Sequence, residues 1–189
     1  WQKDFPQTKN KIILTLPARI TRWKGQDDFI ILLKKITEKN PNVHGLIVGE
    51  EKNKARFINK LKSQTTILGL ANNLTFVGHR SDIREIMSIS KIVFSLSREP
   101  EAFGRISLES LSMGIPVIAY SHGGVKEQML EILPEGLIAV GNINLVASLT
   151  NKWIKKGPEI KKIHNFTLKN MLEKTVLVYK QAIKDKCQK

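Results

Sequence analysis

Glu101 and Glu109 bracket the run AFGRISL, in which Gly104 precedes a stretch of helical composition. A helix opening there leaves the N–H groups of Arg105, Ile106 and Ser107 without intrahelical partners, and such a helix start receives phosphate. Helical side chains lean toward the N-terminus, so Glu109 points back toward whatever occupies that start. A carboxylate repels phosphate, and its better partner is a neutral polyol such as ribose. Two carboxylates flanking one anion seat therefore suggest a sugar nucleotide. Upstream, the run ARITRWKG carries Arg19 and Lys24, which could neutralise a diphosphate. The SHGG turn places Gly123 and Gly124 at another helix start, where small residues admit a ligand. Arg22 and the Arg105 side chain read as solvated, His44 and His164 as structural, and Trp23 as packing. His79 reads as contributing its backbone, and His122 stays undecided.

These groups need a scaffold that brings separate loops together. Six short apolar runs are strand-like: KIILTL (11–16), VHGLIVG (43–49), NLTFVG (73–78), KIVFSLS (91–97), IPVIAY (115–120) and GLIAV (136–140). Most lack clean alternation, as expected of strands covered on both faces of a parallel sheet. Between them lie amphipathic helical patterns. From Asp27 to Lys39, Phe29, Ile30, Leu32, Leu33 and Ile36 share one side, and Asp27 and Asp28 suit the helix N-terminus. A second pattern runs from Asn53 to Leu68, a third from a Ser81 or Asp82 cap through Met87, and a fourth from Gly104 to Met113, closed by Gly114. Helices alone follow, over Asn144–Lys155 and about 167–184. The expected fold is α/β: a Rossmann-like, doubly wound parallel sheet of about six strands with helices on both faces and the last helical pair packed outside it. Ligands bind such sheets at the carboxyl ends of the strands, where the loops singled out above must lie.

A length of 189 residues fits one domain, spanning 1–189. The 31 Lys and Arg against 17 Asp and Glu give a net charge of +14, which favours an anionic partner. The charge is unevenly spread: residues 151–189 carry 11 Lys against 3 acids, whereas residues 101–150 carry 2 bases against 5 acids. Cys187 is the single cysteine, so no intrachain disulfide forms and a reducing, cytoplasmic location is expected. No apolar run reaches the ~18 residues a membrane span needs. No HExxH, CxxC, GxGxxG or GxxxxGK[ST] motif occurs, so neither a metal nor another cofactor is expected. The first residue is Trp1, which points to a missing N-terminal part.

The run EAFGRISLESLSMGIPVIAYSHGGVKE, with ARITRWKGQ upstream and VGHRSDI between, resembles the C-terminal, donor-binding domain of family-four retaining glycosyltransferases of the GT-B fold. The resemblance spans residues 11 to about 184, and its wording is most similar to bacterial enzymes of lipopolysaccharide and surface polysaccharide biosynthesis. It implies that Glu109 binds the ribose hydroxyls, that Glu101 binds the donor sugar, and that Arg19 and Lys24 hold the diphosphate. It further implies that backbone amides at Phe103, Gly104, Arg105 and Ile106 meet sugar and phosphate oxygens, and that Gly78, His79 and Arg80 border the base. The implied donor is a UDP-, GDP- or ADP-sugar, used without a metal and without an enzymic nucleophile, in a same-face mechanism that keeps the anomeric configuration. The stretch QMLEILPEGLIAVGNINL departs from the family's Gly-Leu-Leu-Val-Pro wording followed by Asp, so the loop from Gly136 to Asn142 carries no assigned role.

In that family an N-terminal domain binds the acceptor, and here it is expected to be absent. Competing readings are a sugar-nucleotide epimerase of the same layout, an inactive sugar-nucleotide binder, and a basic nucleic-acid module. The last lacks a recognition motif, and aromatic residues make up only 6% of the chain, too few for a base-stacking surface, so no nucleic acid is expected. The basic tail instead suggests an anionic membrane surface, peripheral to the inner membrane.

Overall fold

The computed structural model describes residues 3–50, 55–161 and 164–187, with Lys186 and Cys187 described by backbone alone. Each of the six apolar runs contains a strand: β1 (Ile12–Pro17), β2 (Val43–Val48), β3 (Leu74–Gly78), β4 (Ile92–Ser95), β5 (Val117–Tyr120) and β6 (Leu137–Ile138). They form one sheet in the order β3-β2-β1-β4-β5-β6, parallel at every pairing. Every residue of β2 and β5 is buried, which is why these runs show no alternation. The GLIAV run narrows to two paired residues because β6 is the sheet edge, with only β5 beside it.

The described residues form seven α-helices, of which the first six connect or cover the strands: α1 (Gln26–Thr37), α2 (Ala55–Ile67), α3 (Ile83–Ser88), α4 (Arg105–Ser112), α5 (Gly123–Ile132), α6 (Ile143–Lys155) and α7 (Leu168–Cys187). Helix α1 packs on α2 and α6, and α4 packs on α3 and α5, giving the two helical layers of a doubly wound fold. The apolar stripe of α1 is fully buried through Phe29, Ile30, Leu32, Leu33 and Ile36. Helix α6 opens with the Asn142 side chain accepting from the Leu145 N–H at 3.1 Å, and it drives Trp153 into the core. The expected α2 start at Asn53 and the side chain of Cys187 lie outside the described residues.

The last two helices part company. Helix α6 covers the sheet beside α1, but α7 does not pack on it: its side chains are exposed from Met171 to Asp185, with Met171, Leu172, Val176 and Tyr179 each about half exposed or more. The apolar stripe of α7 therefore has no cover among the described residues. No helix among the described residues is long and apolar enough to cross a membrane.

The strand order reverses direction between β1 and β4. They are neighbours, paired Leu14 to Ile92 and Thr15 to Val93, yet the chain leaves β1 toward β2 and leaves β4 toward β5. The two following loops diverge there and open a crevice at the carboxyl edge.

His44 lies on β2 wholly buried, with Nε2 at 2.8 Å from Thr75 Oγ1. Burial holds its pKa below the ordinary value of 6.5. The folded chain thus binds a proton less readily than the unfolded one, and stability rises with pH across the interval between the two values. We expect this contribution to be complete above about pH 6.5 and to be lost as pH falls through the lower, folded value. Urea unfolding from pH 7.5 to 5 should show a loss that is reduced in His44→Gln, which cannot gain the proton; an unchanged slope would contradict this.

Candidate functional site

The crevice is bridged by charge. Lys24, on the loop after β1, meets Glu101, on the loop after β4, with Nζ 2.8 Å from Oε2. The pair is mostly covered, at 13% and 21% side-chain exposure, so it is screened less than a surface ion pair. The other Glu101 oxygen accepts from Ser97 Oγ. The Lys24 ammonium also lies 4.3 Å from the centre of the Trp23 ring, so Trp23 supports the cation rather than only filling space.

A second set of contacts fixes the same two loops. The Arg98 N–H donates to the Trp23 carbonyl at 2.6 Å. Its guanidinium makes a two-pronged contact with Asp28 on α1, Nε donating to Oδ2 at 3.0 Å and Nη2 donating to Oδ1. Asp28 Oδ2 also accepts from the Tyr120 hydroxyl at 2.9 Å. The hydrogen bond to Asp28 raises the Arg98 pKa above its ordinary value, and burial followed by the Asp28 charge raises that of Tyr120. His122 closes the ring by donating from Nε2 to the Ser97 carbonyl at 2.6 Å, which gives it a positioning role.

Sequence reasoning missed Arg98, Asp28 as a buried group, and Tyr120. A signal was present. Asp28 sits one turn before Leu32 on the face that is otherwise apolar, and a carboxylate on a buried stripe needs a cation.

Gly104 has φ +81° and caps α4, and a side chain there would strike Val125, so backbone and packing both demand glycine. The first amides of α4 lie just beyond it, beside Lys24, Glu101 and the fully buried Ser107 on a crevice of about 30 Å³. A wider cleft of about 310 Å³ continues from it, lined by Arg19, Lys24, His79, Arg80, Ile83 and Ile106. Five residues singled out on separate loops thus share one hollow. Arg80 grips Asp82 through Nε and Nη2 at 2.7 and 2.5 Å, and this holds the Asp82 carboxyl below its usual range. Gly78, at φ +78°, turns the chain out of β3 into that loop.

Other expected residues are placed differently. Glu109 lines neither hollow; its Oε1 pairs with Arg105 Nη2 at 3.1 Å, one turn toward the helix start, so it leans as expected and Arg105 is an ion-pair partner. Phe103 is 46% exposed and meets the edge of Phe166, with ring centres 6.4 Å apart. A side chain at Gly123 or Gly124 would strike the backbone carbonyl of Glu101 or Ala102, and the Gly124 N–H donates to the Glu101 carbonyl at 2.8 Å. Their smallness lets the Glu101 loop close on α5. A larger hollow, about 840 Å³, lies at the opposite edge among Leu111, Ile132, Ile160 and His164 and contains none of the singled-out cations. Among the described residues no group of three or more His, Cys, Asp and Glu could hold a metal ion.

The family profile described as Glycosyl transferases group 1 matches residues 1–181. The solved glycosyltransferase of Rickettsia africae superimposes with a TM-score of 0.86 at 29% identity, over 97% of this chain and 51% of that one. The Anabaena protein HepE, solved with UDP and glucose, gives a TM-score of 0.75 at 29% identity, over 82% of this chain and 41% of that one. The lipopolysaccharide core biosynthesis mannosyltransferase LpsB of Rhizobium meliloti is 27% identical over 137 residues, 67% of this chain and 39% of that protein. The chain spans between 25% and 43% of the length of the curated relatives it matches.

Gly25 joins the two loops at φ +77°, and a Cβ there would collide with the Leu96 carbonyl oxygen. Left-handed strain plus overpacking should make Gly25→Ala cost at least ~2 kcal/mol. Thermal unfolding should show a melting temperature lowered by at least ~4 °C for a chain of this size. An unchanged melting temperature would mean the loops are not in this contact.

Proposed function

We propose, from the premise that this chain belongs to the group 1 glycosyl transferases, that it is the donor-binding half of a retaining hexosyltransferase. The observation that carries this is the meeting of Lys24 and Glu101 at 2.8 Å across the β1/β4 crevice, beside the amides that open α4. A nucleoside diphosphate sugar would lay its diphosphate against Arg19, Lys24 and those amides. Its base would lie toward Gly78, His79 and Arg80, its ribose toward Glu109 and its sugar toward Glu101. Backbone amides at Phe103, Gly104, Arg105 and Ile106 would meet sugar and phosphate oxygens. HepE's complex with UDP and glucose supports a uridine donor, with GDP- and ADP-sugars as the other candidates.

Departure of the diphosphate is the demanding step, because negative charge grows on the leaving oxygen as the sugar becomes oxocarbenium-like. Lys24 is already oriented by Glu101 and Trp23, so the charge that meets the leaving group needs little reorganisation. Its ammonium has three donors, and those not on Glu101 serve the phosphate. In this reading no divalent ion or other cofactor takes part. The acceptor, a glycan or lipid-linked glycan of lipopolysaccharide or surface polysaccharide synthesis, is held by an N-terminal domain outside residues 1–189. LpsB and the sequence wording support that pathway class.

Calorimetry in EDTA with UDP, GDP, ADP and their hexose conjugates tests the assignment. We expect one nucleoside diphosphate to bind without magnesium and Glu109→Ala to weaken it by about 1.5–3 kcal/mol. Glu101→Ala should weaken the sugar conjugate more than the bare diphosphate, which loses only the orientation that Glu101 gives Lys24. Binding that requires a divalent ion, or equal loss of the bare diphosphate in both variants, would overturn the roles.

The exposed lysines Lys169, Lys174, Lys180 and Lys184 of α7, beside its apolar stripe, support docking at the cytoplasmic surface of an anionic membrane. Vesicles of phosphatidylglycerol should carry the chain upward in a density gradient at low salt and release it at physiological salt, where screening acts over ~8 Å. Equal flotation with neutral phosphatidylcholine vesicles would contradict this.

A further inference from the structure

We propose that Asp28, Arg98 and Tyr120 are positioning residues for the diphosphate: a clamp that sets where Lys24 and Glu101 stand without touching the ligand. The inference rests on the donor-binding reading and adds three residues to it. The clamp reaches the working pair through Trp23, which adjoins Lys24, and through Ser97, which is hydrogen-bonded to Glu101. The Arg98 N–H holds the carbonyl of Trp23, next to Lys24. Arg98 itself follows Ser97, whose hydroxyl holds Glu101 and whose carbonyl is held by His122. The anchor is Asp28, a carboxylate 3% exposed that takes two guanidinium donors and a phenol.

The chemistry of the three groups suits precise placement. A two-pronged guanidinium–carboxylate contact fixes direction as well as distance, which a lysine in place of Arg98 would not. The Tyr120 hydroxyl, rising from the end of β5, takes up a further acceptor site on Asp28 and ties the carboxylate to the sheet. Asp27 adds an outer contact to Arg98 at 3.3 Å. Three elements converge on the loop after β4, which carries Glu101: the end of β5, the start of α1 and the loop after β1. A clamp that served stability alone would not need its outgoing contacts to fall on Trp23, adjacent to Lys24, and on Ser97, which holds Glu101.

The test separates positioning from folding by a ratio. Affinities of UDP and UMP, GDP and GMP, and ADP and AMP are measured calorimetrically for the unaltered chain, Asp28→Asn, Arg98→Lys and Tyr120→Phe, well below each melting temperature. Lys24 serves the diphosphate, so its displacement should cost the diphosphate more than the monophosphate. The preference for the favoured diphosphate over its monophosphate should shrink roughly tenfold in Asp28→Asn and less in Arg98→Lys and Tyr120→Phe, which keep part of the clamp. Tyr120→Phe keeps the ring packing and guards against failure of the other variants to fold. Equal losses of mono- and diphosphate, or an unchanged preference in all three variants, would overturn the clamp. Absence of binding by the unaltered chain to any of the six nucleotides would overturn the donor-binding reading, and the clamp's purpose with it.

Discussion

A carboxylate 3% exposed cannot stand alone, and the architecture of the carboxyl edge follows from how Asp28 is satisfied. Its partner, Arg98, comes from the loop after β4, while Asp28 itself begins the helix after β1. The strand order makes these loops diverge, and the ion pair draws them back into register. Removing Arg98 would leave Asp28 buried with only the Tyr120 hydroxyl, a loss below the ~3–5 kcal/mol of a fully buried pair because the Arg98 side chain is 43% exposed and partly screened by water. Lys24 and Glu101 can therefore be held opposite each other on loops that would otherwise be free to separate.

The same constraint explains the glycines at the crevice. With the loops drawn together, Gly25 lies against the Leu96 carbonyl and Gly124 against Ala102, so only hydrogen fits at either place. The small residues of this edge serve the approach of protein to protein as much as any approach of ligand. The open cleft lies to one side, toward Arg19, His79 and Arg80, where the ends of β1, β2 and β3 face outward.

Much of this was readable from residue order. The six apolar runs contain the six strands, and the wholly buried β2 and β5 show why: strands covered on both faces leave a compositional mark that local sequence carries. The α4 start was legible because Gly104 needs a left-handed backbone that few other residues adopt. What local sequence could not carry was pairing between distant residues. Asp28 read as a helix N-terminal acid because that role is local, whereas its partners Arg98 and Tyr120 lie 70 and 92 residues away. The Lys24–Glu101 contact was hidden for the same reason: each residue was singled out, but their meeting is a product of topology. Helix α7 shows the converse. Its amphipathic pattern was visible, but its apolar stripe packs on nothing among the described residues, so the pattern alone did not say where it lies.

The proposed function requires that the diphosphate of a sugar nucleotide sit between Lys24 and the first amides of α4. A crystal structure of the chain soaked with UDP tests it directly. The expected result is phosphate oxygens within hydrogen-bonding distance of the Lys24 ammonium and the N–H groups that follow Gly104, with Asp28 and Arg98 still paired. Phosphates bound elsewhere, whether in the hollow beside Ile132 and Ile160 or along the lysines of α7, with the β1/β4 crevice holding only water, would contradict it.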